Sequence, residues 1–519
     1  MNGAAAIART LRDAGVDVAF GLPGAHNLPL WSAFASEPIR IVGMRHEQGC
    51  AYAADGYART TGKLGVALVT TGPGAANTIG AVGEAWASRS PVIVIATDIP
   101  TTLRTEGVYR GVLHECTDQA ALFTPVTKDQ TESIATAVRA ALEHPRRPVY
   151  VGVPTDALAA DASPETLDTS GTARTADMTP LLDAIDQSSR PLLWVGGGAR
   201  DASEAIDALA RATGAPVVTT YQARGILAPD HPLLVPAPPH EPEVTELIQR
   251  ADLAVVIGSD LDQMNTMQWR LPLPERRVAV NLDPGDATKN YSMDAVIVSD
   301  ASGLGLAAEI VSPREPWSND LPALGKTIRA RLDSDALAFL EHTETALPSD
   351  AITFADMCVP GYWLAGHMKV ETQRGLHYPM GWGTLGFALP AAIGASVAAP
   401  TVAFIGDGGA LFALGELSAL AELNTPCTIV VVDDGGYGML RHGPTAHDSS
   451  VGVANDLPAV DFVQVAAGFG IEATRVDGFG ADYARALALA VESDAPRVLH
   501  VRAQLPPPVT TTPFWPIKD

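Results

Sequence analysis

Thr401–Arg441 reads TVAFIGDGGALFALGELSALAELNTPCTIVVVDDGGYGMLR, and this stretch decides the fold. Val402–Ile405 is a short apolar run that enters Gly406-Asp407-Gly408-Gly409. Leu411, Leu414, Leu417 and Leu420 follow at threefold spacing, which predicts a helix with one apolar face. Asn424-Thr425-Pro426 ends it. A second apolar run, Thr428–Val432, delivers Asp433-Asp434-Gly435-Gly436. Strand, helix and strand in that order make a parallel crossover, and ligands of open parallel sheets bind at the carboxyl ends of the strands. The order therefore brings Asp407 and Asp434 together beside a helix N-terminus. Glycines there let backbone N–H groups approach phosphate oxygens, whereas carboxylates would repel a phosphate unless a hard divalent cation lay between them. These residues point to a metal–diphosphate site.

Similar apolar runs recur on both sides of this stretch. Candidate strands are Val66–Thr70, Val92–Ala96, Val149–Val153, Leu192–Val195, Val217–Thr220, Leu253–Ile257, Val278–Leu282 and Val498–Val501. Most are continuous rather than alternating, which suits parallel strands covered on both faces. The segments between them are long enough for crossover helices, so the chain reads as an α/β protein of repeated βα units. Two stretches read as linkers: the polar Ala160–Pro180 and the proline-rich 311–322. They divide the chain into 1–160, 180–310 and 325–519, each of ordinary domain size.

Composition narrows the partners. With 59 acidic and 35 basic residues among 519, the net charge is −24, which argues against nucleic acid or an anionic membrane as partner. Hydrophobic residues make up 47% and charged ones 18%, the balance of a chain with large packed cores. Cys50, Cys116, Cys358 and Cys427 show no CxxC spacing, so neither a zinc site nor a disulfide framework is expected. The start of the chain has no basic stretch followed by an apolar run, and apolar stretches are cut well before a membrane span. A cytoplasmic protein is expected.

The Gly406-Asp407-Gly408 run, followed after 24 intervening residues by an acidic pair, resembles the thiamine diphosphate signature. Gly436-Tyr437-Gly438-Met439 resembles the acetolactate synthase-like branch of that enzyme family. Further stretches agree: Phe20–Leu28 (FGLPGAHNL) resembles the first active-site loop, and Arg45-His46-Glu47 with Ala53–Arg59 resembles the catalytic glutamate segment. Thr70–Asn77 (TTGPGAAN) resembles the turn beneath the aminopyrimidine, and Gly383–Ala395 also matches. The resemblance implies three doubly wound parallel-sheet domains: pyrimidine-binding over 1–160, Rossmann-like and central over 180–310, and diphosphate-binding over 325–519. It implies a homodimer or homotetramer with active sites between subunits.

Carried residue by residue, the resemblance makes Glu47 the carboxyl that hydrogen-bonds the aminopyrimidine N1′, held in a mostly apolar pocket. Asp407 and Asp434, with the Gly436 carbonyl, become ligands of Mg²⁺. Gly72, Pro73 and Asn77 would line the pyrimidine pocket, and Gly383 and Leu385 would support the bent cofactor. Gly406, Gly408 and Gly409 would bind the diphosphate, and Tyr437, Gly438 and Met439 would face the substrate side. His26 and His114 are the candidate proton-handling residues. One departure stands out: the family's usual pair is Asn-Asn, and this chain has Asp433-Asp434.

The implied reaction is decarboxylation of a 2-oxo acid, with the enamine either protonated to an aldehyde or ligated to a second carbonyl compound. A genuine acetolactate synthase, or a C–C hydrolase or lyase on the same scaffold, are the alternatives, with a non-catalytic homologue the remaining one. Val112–Gln119 (VLHECTDQ) and Leu440–Pro444 differ from the synthase pattern. Only His114 stands where pyruvate decarboxylase has paired histidines, and Thr70-Thr71 lacks the histidine of benzoylformate decarboxylase. Val195–Ala199 carries a glycine triple, a weak dinucleotide signal. Val235–Pro242 (VPAPPHEP) replaces the glycine-rich loop that would pass near a flavin, so FAD is not expected.

Overall fold

Continuous β-branched runs become the centres of three separate parallel sheets. The computed structural model describes residues 1–105, 107–167, 176–442 and 455–509; Gly443, Pro444 and the middle of the first linker lie outside these. The first sheet contains β1 (Val18–Gly21), β2 (Arg40–Gly43), β3 (Gly65–Val69), β4 (Val92–Asp98), β5 (Asp129–Thr131) and β6 (Val149–Pro154), in the order β2-β1-β3-β4-β6-β5. The second contains β7 (Pro191–Val195), β8 (Val217–Thr219), β9 (Leu253–Ile257), β10 (Arg277–Asn281) and β11 (Ala295–Val298), ordered β11-β10-β9-β7-β8. The third contains β12 (Ile352–Ala355), β13 (Leu376–His377), β14 (Thr401–Gly406), β15 (Cys427–Asp433), β16 (Glu472–Asp477) and β17 (Arg497–Arg502), ordered β13-β12-β14-β15-β17-β16. Every ladder is parallel. The α/β reading of three parallel-sheet domains holds.

The leucine-spaced helix after β14 differs in detail. It starts at Asp407 itself and is divided into Asp407–Ala413 and Glu416–Leu423, with shorter i→i+3 bonds from Leu417 and Ser418 where Leu414-Gly415 intervene. Leu417 and Leu420 are buried as the spacing requires, but Leu411 is exposed. Asn424 closes the second piece in the left-handed conformation, φ 51°.

The first and third sheets share one core. The helix Glu47–Thr61 lies against the helix Ala388–Ser396 so closely that side chains are excluded at the crossing. A Cβ on Gly56 would lie 2.0 Å from the Ala391 carbonyl oxygen, and one on Gly394 would lie 1.9 Å from that of Ala53. Around the crossing Tyr52 and Phe387 meet edge to face, and Arg59, fully buried, binds Asp55 and Glu84 at 2.6 and 3.0 Å.

The middle sheet has its own apolar layers, built from residues between Leu181 and Ile328. The second linker is fastened to it: Arg314 N donates to the Ala212 carbonyl, and Trp317 Nε1 donates to that of Pro191 at 2.7 Å. Leu321 and Ile328 of the next helix join the Leu192–Trp194 layer. Many of its ties to the other sheets are ionic, such as Arg89 to Asp260 and Asp286 and Arg374 to Asp201. Among the described residues, no helix is long and apolar enough to cross a membrane.

Candidate active site

The candidate residues gather in two groups, one at the carboxyl edge of the first sheet and one at that of the third. Glu47 opens its helix, whose N-cap is His46: the His46 Nδ1 accepts from Gln48 N at 3.1 Å. The chain entering the helix is held from the third sheet. Glu416 accepts from the backbone N–H groups of Arg45 and His46, each at 3.0 Å. Burial pushes the Glu416 carboxyl up to about 7 against those bonds. Glu47 is half-buried in the single chain, and Asn77 Nδ2 donates to its Oε2 at 3.0 Å.

Gly72, Pro73 and Asn77 form the turn after β3. Gly72 has φ +65°, and its N–H donates to Gln119 Oε1 at 2.6 Å. Gln119 in turn donates to the Thr97 carbonyl and to Tyr150 Oη, so one buried amide fixes the turn to β4 and β6. A Cβ on Gly72 would lie 2.4 Å from the His114 carbonyl oxygen. The glycine therefore makes room for the backbone of His114, which itself takes φ +67°. A non-glycine residue in that region is strained, and such strain persists where surrounding structure enforces it.

His26 and His114, far apart in sequence, meet edge to face with ring centroids 5.2 Å apart. His26 Nδ1 lies 2.9 Å from Thr71 Oγ1, and the Thr71 hydroxyl donates to Thr97 Oγ1 at 2.9 Å. With its one proton committed, Thr71 accepts from His26, so Nδ1 carries the hydrogen and Nε2 the lone pair. Burial, then the neighbouring His114, holds the His26 imidazole below its ordinary range. Asn27, fully buried, keeps the loop closed by accepting from Gly24 N and donating to the Leu22 carbonyl.

In the second group, β14 ends at Gly406 and Asp407 begins the helix. Asp407 is buried, and its Oδ1 has no hydrogen-bond partner. Burial, then Asp434 and Asp433 at the end of β15, push its carboxyl up to about 7. Gly408 has no room for a side chain: a Cβ would lie 2.7 Å from the Tyr437 ring and 3.4 Å from the Gly436 carbonyl oxygen. One on Gly438 would collide with Asp434 Oδ2. The segment Gly436–Met439 is thus folded over the start of the Asp407 helix. The acidic pair that departs from the amide pattern is individually partnered. Asp433 Oδ2 lies 2.8 Å from His500 Nε2, and Asp434 Oδ1 accepts from Arg441 at 3.2 Å.

Asp356, at the end of β12, escaped the motif reading. It is fully buried, and its two oxygens accept from the N–H groups of Gly386, Phe387 and Ala388 at 2.9, 2.8 and 3.2 Å. A Cβ on Gly409 would strike its Oδ2. Asp356 therefore sets the Gly383–Gly386 turn, in which Leu385 is half-buried and a Cβ on Gly386 would lie 2.7 Å from Phe412 of the Asp407 helix. Burial raises it to about 6. Its only signal in the sequence is an acid directly after an apolar run, ITFAD.

The donor set fits a hard cation. A bare buried carboxylate oxygen on Asp407 seeks a positive partner, and Asp434 and the Gly436 carbonyl are oxygen donors close by. Among the described residues no cluster of three His, Cys, Asp or Glu side chains forms a closed cage. A cation here would complete its shell with ligand oxygens and water, as Mg²⁺ does. The two groups are tied through the helix that follows Asp407: Glu416 accepts from the Arg45 and His46 N–H groups, and the Arg45 side chain bonds Ser418 and Glu422. In the middle sheet the glycine triple has a packing role: a Cβ on Gly196 would lie 2.5 Å from the Gly258 carbonyl oxygen.

Together, three parallel sheets, an oxygen-donor site on one and a carboxyl–histidine group on another define an enzyme that works through a bound cofactor. The thiamine pyrophosphate enzyme models match in all three parts: the N-terminal TPP binding domain over 1–122, the central domain over 178–308 and the C-terminal TPP binding domain over 357–501. The chain belongs to the thiamine pyrophosphate enzyme family, in its acetolactate synthase-like branch. It is 33% identical over 465 residues to a probable 2-ketoarginine decarboxylase of Pseudomonas aeruginosa, across 84% of this chain and 82% of that one. It is 30% identical over 528 residues to a probable acetolactate synthase large subunit of Methanocaldococcus jannaschii, across 92% and 88%. The solved thiamine diphosphate-dependent 4-hydroxybenzoylformate decarboxylase of Rhodococcus jostii superposes with a TM-score of 0.82 at 25% identity, covering 98% of this chain and all of that one.

Proposed function

We propose that this chain decarboxylates a 2-oxo acid with thiamine diphosphate and Mg²⁺, and that the product carbon is protonated to give an aldehyde. The observation that carries this reading is the His26–His114 pair. His26 is oriented by Thr71 so that Nε2 is the atom able to take up and release a proton, and it stands beside the turn Gly72–Asn77. Bound at this site, thiamine diphosphate supplies the nucleophilic carbon and the electron sink that loss of CO₂ requires. Glu47, with one oxygen engaged by Asn77, keeps the other for the aminopyrimidine. Asp407, Asp434 and the Gly436 carbonyl hold the cation, with Gly406, Gly408 and Gly409 against the diphosphate. Leu385 supports the cofactor from the turn set by Gly383 and Asp356, and Tyr437, Gly438 and Met439 flank the substrate.

Two relatives named as decarboxylases support protonation. The relative named as a synthase supports the second reading, in which the same carbon is joined to another carbonyl compound. The reading includes no flavin. It also includes a homodimer or homotetramer that completes each site across subunits. Exposed apolar side chains flank both groups: Leu28 and Leu113 next to the histidines, Phe412 on the Asp407 helix and Leu440 after Met439, with Leu113 73% and Phe412 58% exposed. Apolar surface so placed is what a second copy would cover.

The test is a panel of 2-oxo acids, with CO₂ release measured and products identified. An aldehyde from a single donor supports the reading, a hydroxy-ketone product favours the second one, and no CO₂ from any 2-oxo acid overturns both. Glu47→Ala should keep the wild-type circular dichroism spectrum and release no CO₂.

A further inference from the structure

We propose that Arg441 is the counter-charge that allows an acidic pair to stand in the amide position of the diphosphate signature, and that it makes the site favour a cation bound together with a diphosphate over a cation alone. The proposal rests on the reading of Asp407 and Asp434 as the cation site.

The guanidinium is built into the loop it neutralises. Its Nη1 donates to the Asp434 carbonyl at 2.9 Å and to Asp434 Oδ1 at 3.2 Å. Its Nη2 donates to the Gly435 carbonyl at 2.8 Å, and its Nε donates to Asp456 Oδ1 at 3.0 Å. Several donors in a fixed planar fork serve two carboxylates, Asp434 and the more exposed Asp456, and two carbonyls at once, which a lysine could not do. A Cβ on Gly436 would lie 2.9 Å from Arg441 Nη2, so the residue offering its carbonyl to the cation sits directly on the guanidinium.

Asp433 is satisfied separately. Its Oδ2 faces His500 on β17 and its Oδ1 accepts from Gly435 N at 3.1 Å. Both acids of the pair add charge beside Asp407, and Asp434 is the one that faces the guanidinium. A diphosphate brings negative charges of its own, and an unneutralised carboxylate beside it is repelled through a partly buried, weakly screened medium. Arg441, paired with Asp434 inside the loop and with the exposed Asp456 at its rim, offsets that repulsion. The same positive charge opposes a bare divalent cation. A residue that merely tied the loop would have no reason to move the two affinities in opposite directions.

The test uses the full chain as wild type, Arg441→Gln, Asp434→Asn and the double variant. Mn²⁺ binding without cofactor is followed by electron paramagnetic resonance of the free ion. Thiamine diphosphate binding in saturating Mg²⁺ is followed by quenching of tryptophan fluorescence. Arg441→Gln is expected to bind Mn²⁺ about tenfold more tightly and thiamine diphosphate about tenfold more weakly. In the Asp434→Asn background the same substitution should change thiamine diphosphate affinity by less than about twofold. Weakening of both affinities, no change in either, or an equal loss of thiamine diphosphate affinity in the Asp434→Asn background would each overturn the proposal. A wild-type protein that binds Mn²⁺ but not thiamine diphosphate with Mg²⁺ would instead overturn the cofactor reading on which it rests.

Discussion

His114 combines two constraints in one residue: its backbone is held in the left-handed region over Gly72, and its ring faces His26. The second constraint is electrostatic, because a charge on His114 disfavours a charge on His26. Burial and that repulsion both lower His26, so His26 loses its proton at a lower pH than an ordinary imidazole. Removing the neighbouring charge raises it again. His114→Gln is therefore expected to move the His26 titration upward, seen by NMR of its ring protons, and to move the acid limb of the kcat/KM profile in the same direction. A His26 titration that stays in place would show that the two rings are neighbours without coupling. Each histidine was legible in its own motif, but their meeting was not. Asp356, Gln119 and Arg441 were not singled out either. Each acts by holding a backbone or a charge that belongs to another segment, and a side chain's distant partner leaves no local pattern.

At the level of elements, buried strands were the most legible feature. All ten of the apolar runs read as strands lie in the three sheets, because strands covered on both faces must be apolar throughout. The strands that went unread are β1, β2, β5, β11, β12, β13 and β16, and five of these lie at sheet edges. An edge strand has one neighbour and tolerates polar residues; β16, EATRVD, is exposed along most of its length. Helix crossings were not legible at all. The approach of Glu47–Thr61 to Ala388–Ser396 depends on Gly56 and Gly394 meeting carbonyl oxygens of the opposite helix, and neither glycine looks unusual in its own segment. Backbone cannot move aside as a flexible side chain can. Gly394→Ala is therefore expected to lower stability by about 1–3 kcal/mol or more, measured as a lower urea midpoint. The same substitution at exposed Gly468, where a Cβ would meet nothing within 4 Å, should leave the midpoint near that of wild type.

Over the whole molecule, the first and third sheets share one apolar core, whereas the middle sheet builds its two layers from residues between Leu181 and Ile328 and sends Tyr221 into the core of the third. Arg89 to Asp260 and Asp286, and Arg374 to Asp201, join the middle sheet to the others through charges that are partly solvated. Salt screens such pairs and leaves apolar burial intact. Two unfolding transitions are expected in calorimetry at low protein concentration. Raising NaCl should lower the one belonging to the middle sheet relative to the other; a single transition insensitive to salt would contradict this division. The shared core also has a meaning for recombination between relatives. The helices that meet at Gly56 and Gly394 lie in the first and last thirds of the sequence, so a chimera that takes these thirds from different parents must match two backbones atom by atom. One that exchanges only the middle third has the partly solvated ion pairs, the Tyr221–Tyr378 ring contact and the approach of Gly225 to the Thr372 carbonyl to reconcile. Viable crossovers should therefore come in pairs, one in each linker, with the two ends inherited together.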